Sequence, residues 1–307
     1  MMVPARSGIA AIGKMVVTVA LALLSVPVVA QTAPLKPLDI EVLRTGPGSL
    51  YVNITLIKGD KDAVLVDAPF TLADAHRVVA MVLESGKRLT HVFVTHDHPD
   101  HFFAMEVIQD AFPDAKIVAH PTVVSDIWAS LPFKVKRWSR LLGANGPRHP
   151  SAPSALAGDT ILLEGRELKI LGPMPGDHRH ATALWAPSIR GLFAGDLVFN
   201  QMHLWLGEHD PADITAWKAS LDTLVALQPK IVVAGHARPG AANDTSGLDF
   251  SRNYLAAWPK LVAESSDSAD LRRRVGRRFP DAIDALDDFI LGGSSRVAKG
   301  EEPKWTE

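Results

Sequence analysis

Thr95-His96-Asp97-His98-Pro99-Asp100-His101 follows directly on the apolar run His91-Val92-Phe93-Val94. Three imidazoles and two carboxylates therefore fall in six consecutive positions at the end of a predicted buried strand. Neutral imidazole and carboxylate are the ligands that suit zinc and other first-row metals. A strand ending in a tight loop can aim several of them at one point. The stretch reads as half of a metal site whose remaining ligands lie elsewhere in the chain.

Outward from this loop, the first half alternates. Tyr51–Ile57 and Ala63–Asp67 are β-rich and joined by Lys58-Gly59-Asp60-Lys61-Asp62, a hairpin pattern. Thr71–Ser85 has helical apolar spacing and stops at Gly86. After the histidine loop come a predicted helix from about Phe102 to Phe112 and a strand at Lys116–Ala119. Residues 122–158 break the rhythm with Trp128, Trp138 and a basic amphipathic piece, followed by a Gly/Pro/Ser/Ala-rich run. This is either an ordinary helical excursion or a cap over the active-site cleft. Strands resume at Thr160–Leu163 and Leu168–Leu171, with a second hairpin at Ala183–Ala186 and Gly191–Asp196. A helix from Ile214 to Leu227 then leads into the apolar run ending in Gly235-His236. From Leu248 onward the tail reads as helices, with Pro259 a kink or restart and one helix expected over Leu271–Leu291. The alternation argues for a layered α/β fold.

Composition sets bounds. A 307-residue chain that is 47% hydrophobic can bury a substantial core. Arg6 and Lys14 precede an apolar run from Met15 to Ala30 that ends in small residues. This predicts a secretory leader over residues 1–30, cleaved near Ala30, and a periplasmic or secreted domain over 31–307. The rival reading, an uncleaved anchor, is weakened by Ser25 and Pro27 and by a length below the ~20 residues a span needs. The net charge of −2 becomes more acidic without the leader, which disfavours nucleic acid as a partner and leaves a small molecule as substrate. The chain contains no cysteine, so thiolate ligands are excluded.

The other candidate ligands also sit at strand ends, where open α/β folds place their chemistry. They are Gly176-Asp177-His178-Arg179-His180, Ala194-Gly195-Asp196 and Ala234-Gly235-His236. His-x-His-x-Asp-His, a later histidine loop, then Gly-Asp and Gly-His in this order, from about Gly48 to Gly240, resembles the metallo-β-lactamase superfamily. Asp67-Ala68-Pro69 stands where Asp-Thr-Gly is commoner in that family.

The resemblance implies an αββα sandwich of two mixed β-sheets flanked by helices, with a two-metal site at one edge. It implies that His96, His98 and a histidine of the 178–180 loop hold one zinc, that Asp100, His101 and His236 hold a second, and that Asp196 bridges them. His178 is the preferred third ligand because Thr182 follows four residues later; His180 competes. Iron or manganese could replace zinc. Two divalent ions sharing a water would generate a hydroxide that attacks an ester, thioester, lactone or lactam carbonyl. Asp100 would orient the nucleophile or pass on a proton. Asp97 is either a support for a ligand or a solvated loop carboxylate.

His203 and Trp205 follow Asp196 and are candidate substrate contacts, or else loop residues packed on the tail helices. The family's lactonases place a tyrosine near the oxyanion; Tyr51 and Tyr254 are not obviously placed for that, and His203 is the candidate substitute. Two alternatives stay open: a mononuclear iron enzyme of the sulfur-dioxygenase type, and a non-catalytic exported metal-binding protein.

Overall fold

The structure, a computed structural model, describes residues 36–306 together with 1–5, 8 and 13. The apolar run of the expected leader and its cleavage point near Ala30 fall outside the described residues. The unit from Lys36 onward carries the fold.

Its first sheet runs in the order β1 (Asp39–Arg44), β2 (Asn53–Lys58), β3 (Asp62–Val66), β4 (Arg88–Val94), β5 (Lys116–Ala119) and β6 (Ser154–Ala155). The first three strands are antiparallel, and β3 through β6 are parallel. Next in the chain are β7 (Thr160–Leu163), β8 (Arg166–Met174), β9 (Ala181–Ala186), β10 (Gly191–Phe193), β11 (Phe199–Asn200), β12 (Ile231–Val233) and β13 (His236–Ala237). The second sheet has the order β12-β10-β9-β8-β7, and β11 and β13 form a small parallel ribbon.

The layering follows from strand periodicity. Successive side chains point to opposite faces of a strand, and in the middle strands of each sheet both faces are apolar. Val64 and Val66 of β3, Phe93 of β4, Leu184 of β9 and Phe193 of β10 pack in one cluster between the sheets. Their neighbours Leu65, Val92, Val94, Trp185 and Leu192 belong to a second cluster with residues of the helices. Two sheets that each bury both faces need helices outside them. α1 (Leu72–Ser85), α2 (Met105–Ala111) and α3 (Pro121–Leu142) come from the first half, and α4 (Pro211–Ala226), α5 (Ser246–Glu264), α6 (Ser268–Arg278) and α7 (Phe289–Ala298) from the second. This is the expected αββα sandwich of mixed sheets. No described helix is long and apolar enough to cross a membrane.

Several local expectations change. Pro259 lies inside the continuous helix α5 rather than restarting it. The single helix expected over Leu271–Leu291 is two, because Pro280 lacks an N–H and disfavours helical backbone at Phe279. Much of the irregular 122–158 stretch is the 22-residue helix α3, which accommodates Pro132, and Ser154-Ala155 adds an edge strand. The run before His236 is two short strands with different partners, so the chain turns at Ala234-Gly235 and brings His236 beside β11.

Candidate metal centre

The histidine loop leaves the carboxyl end of β4 and is pinned from below. Asp67, one residue past β3, accepts hydrogen bonds from Thr95 N (2.8 Å) and Thr95 Oγ1 (3.0 Å). Its Oδ2 also lies 2.8 Å from His101 Nδ1, which leaves Nε2 of that ring for the centre. His236 is fixed the same way, Nδ1 donating to Leu50 O at 2.7 Å. His96 Nδ1 meets Thr95 Oγ1 at 2.9 Å. A metal-binding histidine typically has its other nitrogen engaged in this manner.

Seven buried side chains then converge in two groups: His96, His98, Asp177 and Asp196, and Asp100, His101 and His236. Asp196 faces both. Its Oδ1 is 3.1 Å from His101 Nε2, and its Oδ2 is 3.0 Å from His236 Nε2 and 3.7 Å from His96 Nε2. Asp177 Oδ2 is 2.9 Å from His98 Nδ1, and Asp100 Oδ2 is 3.3 Å from His236 Nε2. Donors around a tetrahedral ion with bonds of ~2.05 Å stand about 3.3 Å apart, so most of these separations suit a shared cation.

The hydrogen-bond accounting agrees. His96 Nε2, both Asp177 oxygens and Asp196 Oδ1 are buried without a hydrogen-bond partner. Such atoms are rare unless something else satisfies them. Backbone packing makes the room: a Cβ on Gly235 would stand 1.8 Å from Asp196 Oδ1 and 2.6 Å from Gly195 C. The residues present thus fit a divalent metal.

The electrostatics point the same way. Burial disfavours a charged His236, yet Asp196 and Asp100 raise its pKa to about 10. Burial likewise opposes charge on His98, and Asp177 and Glu208 outweigh it, holding that ring well above the ordinary range. A centre that draws protons onto buried imidazoles has a strongly negative potential and favours a cation.

The geometry departs from the expectation at the third ligand. His178 is not among the convergent donors. Its Nδ1 accepts from His180 N (3.2 Å), and its Nε2 faces Asp97 Oδ1 at 3.3 Å. His180 turns to Asp126, 2.7 Å away. Asp177 occupies the place instead, because the turn between β8 and β9 points it inward and the histidines outward. Asp97 itself is buried, not solvated, and its carboxylate meets Lys134 and His178 rather than any of the seven converging side chains. Lys134 of α3 donates to its Oδ2 at 2.8 Å and to its backbone carbonyl. The Lys134 charge and His178 overcome burial and depress the Asp97 pKa to about 2.

Glu208, missed in the sequence, stands 3.3 Å from His98 Nε2 and accepts from Trp205 Nε1 at 2.9 Å. Nothing near Glu208 in the chain marks it, whereas Asp177 was legible as the acid beside the histidines. His209, given no role from sequence, anchors the turn by donating from Nε2 to Gly176 O at 2.7 Å.

Above the centre lies a cleft whose floor includes His98, Asp100, Asp177, Asp196 and His236. His203 and Trp205 both line it, as expected of substrate contacts, together with Trp138, Phe289 and Trp305. Tyr254 is fully buried, its hydroxyl 3.2 Å behind His203 Nδ1. It therefore meets the cleft only through that histidine.

Known proteins share the fold and parts of the sequence. The Metallo-beta-lactamase superfamily profile matches residues 47–236. The chain is 24% identical to a metallo-beta-lactamase type 2 of Pseudomonas aeruginosa over 59% of its own length and 66% of that enzyme, just under two thirds. It is 25% identical to a hydroxyacylglutathione hydrolase of Acidiphilium cryptum over 75% of this chain and 81% of that one. A crystal structure of a metallo-beta-lactamase family protein from Thermus thermophilus superposes with a TM-score of 0.59 at 20% identity, covering 86% of this chain and 94% of the other, a likeness of fold.

Proposed function

Since the chain belongs to the metallo-beta-lactamase superfamily, we propose that it is a metal-dependent hydrolase acting on the carbonyl of an ester, thioester, lactone or lactam. The observation that carries this reading is the convergence of seven buried donors, joined through Asp196, of which His98, Asp100, Asp177, Asp196 and His236 line a cleft. His96, His98, Asp177 and Asp196 would hold one zinc, and Asp100, His101, His236 and the same Asp196 a second. When bound, divalent zinc supplies a Lewis acid that polarises a carbonyl oxygen and makes water acidic near neutral pH.

The chain's own groups do the rest. Asp100 reaches the cleft and is the group to take the proton from the attacking water and return it to the departing oxygen, sulfur or nitrogen. The water oxygen adds to the carbonyl carbon, the bond to the leaving atom breaks, and an acid and an alcohol, thiol or amine result. In the arrangement where Tyr254 donates to His203 Nδ1, the proton of that ring sits on Nε2, available to the oxygen that gains charge. Asp67, Glu208 and the Leu50 carbonyl keep the ligand rings oriented.

The test is a screen of the zinc-loaded protein against nitrocefin, an acyl-homoserine lactone, aryl esters and thioesters. Chelator-sensitive turnover of at least one supports the reading, and Asp100→Asn should lower kcat by about 100-fold. Absence of turnover on every class would overturn it.

One observation favours a second reading. His96, His98 and Asp177 make two histidines and one carboxylate, a set that also suits non-haem iron. Metal analysis separates the two: iron with oxygen uptake supports redox chemistry, and zinc supports hydrolysis. Export, read from the leader, belongs to the same proposal and is checked by fractionating cells that make the full chain.

A further inference from the structure

The cleft above the metal centre has an uneven lining. Every ionisable group on it is a histidine or an acid: His98, Asp100, Asp177, Asp196, His203, Glu208 and His236, with no lysine or arginine among the described residues. The rest of its wall is aromatic and apolar, mainly Trp138, Trp205, Phe289, Trp305, Phe199 and Met202. The aromatic rings hold one another in place. Trp205 stacks on Phe289 with centroids 5.1 Å apart and planes 7° apart, and Trp305 meets both edge-on at 5.0 and 5.3 Å.

Trp305 reaches this position from the far end of the chain, tied by its N–H to Gly207 O at 2.9 Å. Lys304 beside it pairs with Asp213 at 2.8 Å. The guanidinium of Arg137 lies over the Trp305 ring, 3.5 Å from its centroid, and is not part of the lining.

A wall of this kind discriminates by charge. A carboxylate on the substrate, away from the reacting carbonyl, would lose water against tryptophan and phenylalanine and find no cation there. It would also face the carboxyl of Glu208, which shares that wall and accepts from Trp205 Nε1 at 2.9 Å. Unpaired desolvated charge is strongly disfavoured, whereas a flat neutral ring gains stacking and edge contacts.

We infer that the substrate is an uncharged ester or lactone carrying an aromatic or similarly flat apolar group, seated against the aromatic wall that Trp205, Phe289 and Trp305 form. The inference rests on the hydrolase reading for the reaction and on the cleft lining for the choice of substrate. In that reaction water adds to the carbonyl carbon and the ester C–O bond breaks. The products are a carboxylic acid and a phenol or alcohol, and the water protons are shared between them.

A matched pair of probes tests it. Methyl 4-acetoxybenzoate and 4-acetoxybenzoate present the same acetyl ester and differ in a remote charge. With the zinc-loaded protein, kcat/KM for the neutral ester should exceed that for the carboxylate by about tenfold or more. Ile290→Lys, which puts a cation into the wall, should narrow the gap. Trp305→Ala should raise KM for the neutral aryl ester by a larger factor than KM for ethyl acetate, and Trp305→Phe should restore the difference.

A binding measurement keeps this separate from the hydrolase reading. Methyl 4-hydroxybenzoate should quench tryptophan fluorescence at least about tenfold more tightly than 4-hydroxybenzoate. If no ester is turned over but this preference is found, the hydrolase reading fails and the charge selection stands. Equal turnover of the two esters, tighter use of the carboxylate, or equal binding of the two phenols overturns the inference.

Discussion

Replacing Lys134 by methionine removes the ammonium from a buried carboxylate while keeping most of the side-chain volume. Lys134 Nζ is 2.8 Å from Asp97 Oδ2, with side-chain exposures of 0% and 3%. At an effective dielectric constant of ~20, unit charges at that separation attract by roughly 6 kcal/mol. Part of this offsets the desolvation of both groups, and breaking one side of such a pair costs about 3–5 kcal/mol. At about 2 °C per kcal/mol for a domain of this size, the melting temperature should fall by roughly 6–10 °C. Asp97→Asn alone should be similarly damaging, because it removes the negative charge that faces the buried ammonium.

The double variant Lys134→Met, Asp97→Asn should recover at least half of the loss, because neither charge then remains. The pair also carries an acid signature. The folded pKa of Asp97 is about 2 against an ordinary 3.8. Its contribution is therefore present above about pH 4 and is lost as pH falls toward 2. Lys134→Met should remove that slope. Thermal and urea unfolding of the four proteins at pH 7 and pH 3.5, with zinc held constant, measures each quantity. A Lys134→Met protein within about 1 kcal/mol of the parent, or a double variant as damaged as the sum of the singles, would refute the reasoning.

Asp177→Asn should lose bound metal as measured by mass spectrometry of the dialysed protein, whereas His178→Asn should retain it with affinity lowered by about tenfold, as expected for a residue that acts through Asp97. The reverse order would return the third-ligand role to His178. Gly235→Ala should give a protein without metal, or one that does not fold, since its Cβ would stand 1.8 Å from Asp196 Oδ1; a normally loaded variant would contradict the packing. His203 has a folded pKa near 4, below the ordinary 6.5, because it is buried. The unfolded chain therefore binds a proton between those values before the folded one does, so stability should fall on acidification from pH 6.5 to 4 by up to ~1.4 kcal/mol per pH unit. In His203→Asn, urea titrations across this range should show a correspondingly shallower fall.

The fold was legible because its central strands, such as Ala63–Val66 and Ala181–Ala186, carry near-continuous apolar runs, a pattern that marks sheets covered on both sides. Most of the centre was legible because its ligands sit at strand ends. Where the reading failed, the reason is geometric. Between β8 and β9, adjacent residues Asp177 and His178 point to opposite sides of a turn, and ligand chemistry alone favours the imidazole. Only the turn's conformation, with His209 anchoring Gly176 and Asp97 engaging His178, decides that the carboxylate faces inward. Glu208 and Lys134 were hidden for a related reason. They reach His98 and Asp97 from a distant loop and a helix, with no local pattern to announce them. Asp177 inward also leaves the centre with three carboxylates among seven donors. Carboxylate donors suit harder divalent ions than imidazoles do, so the direction in which this one turn faces bears on which metal the centre would take.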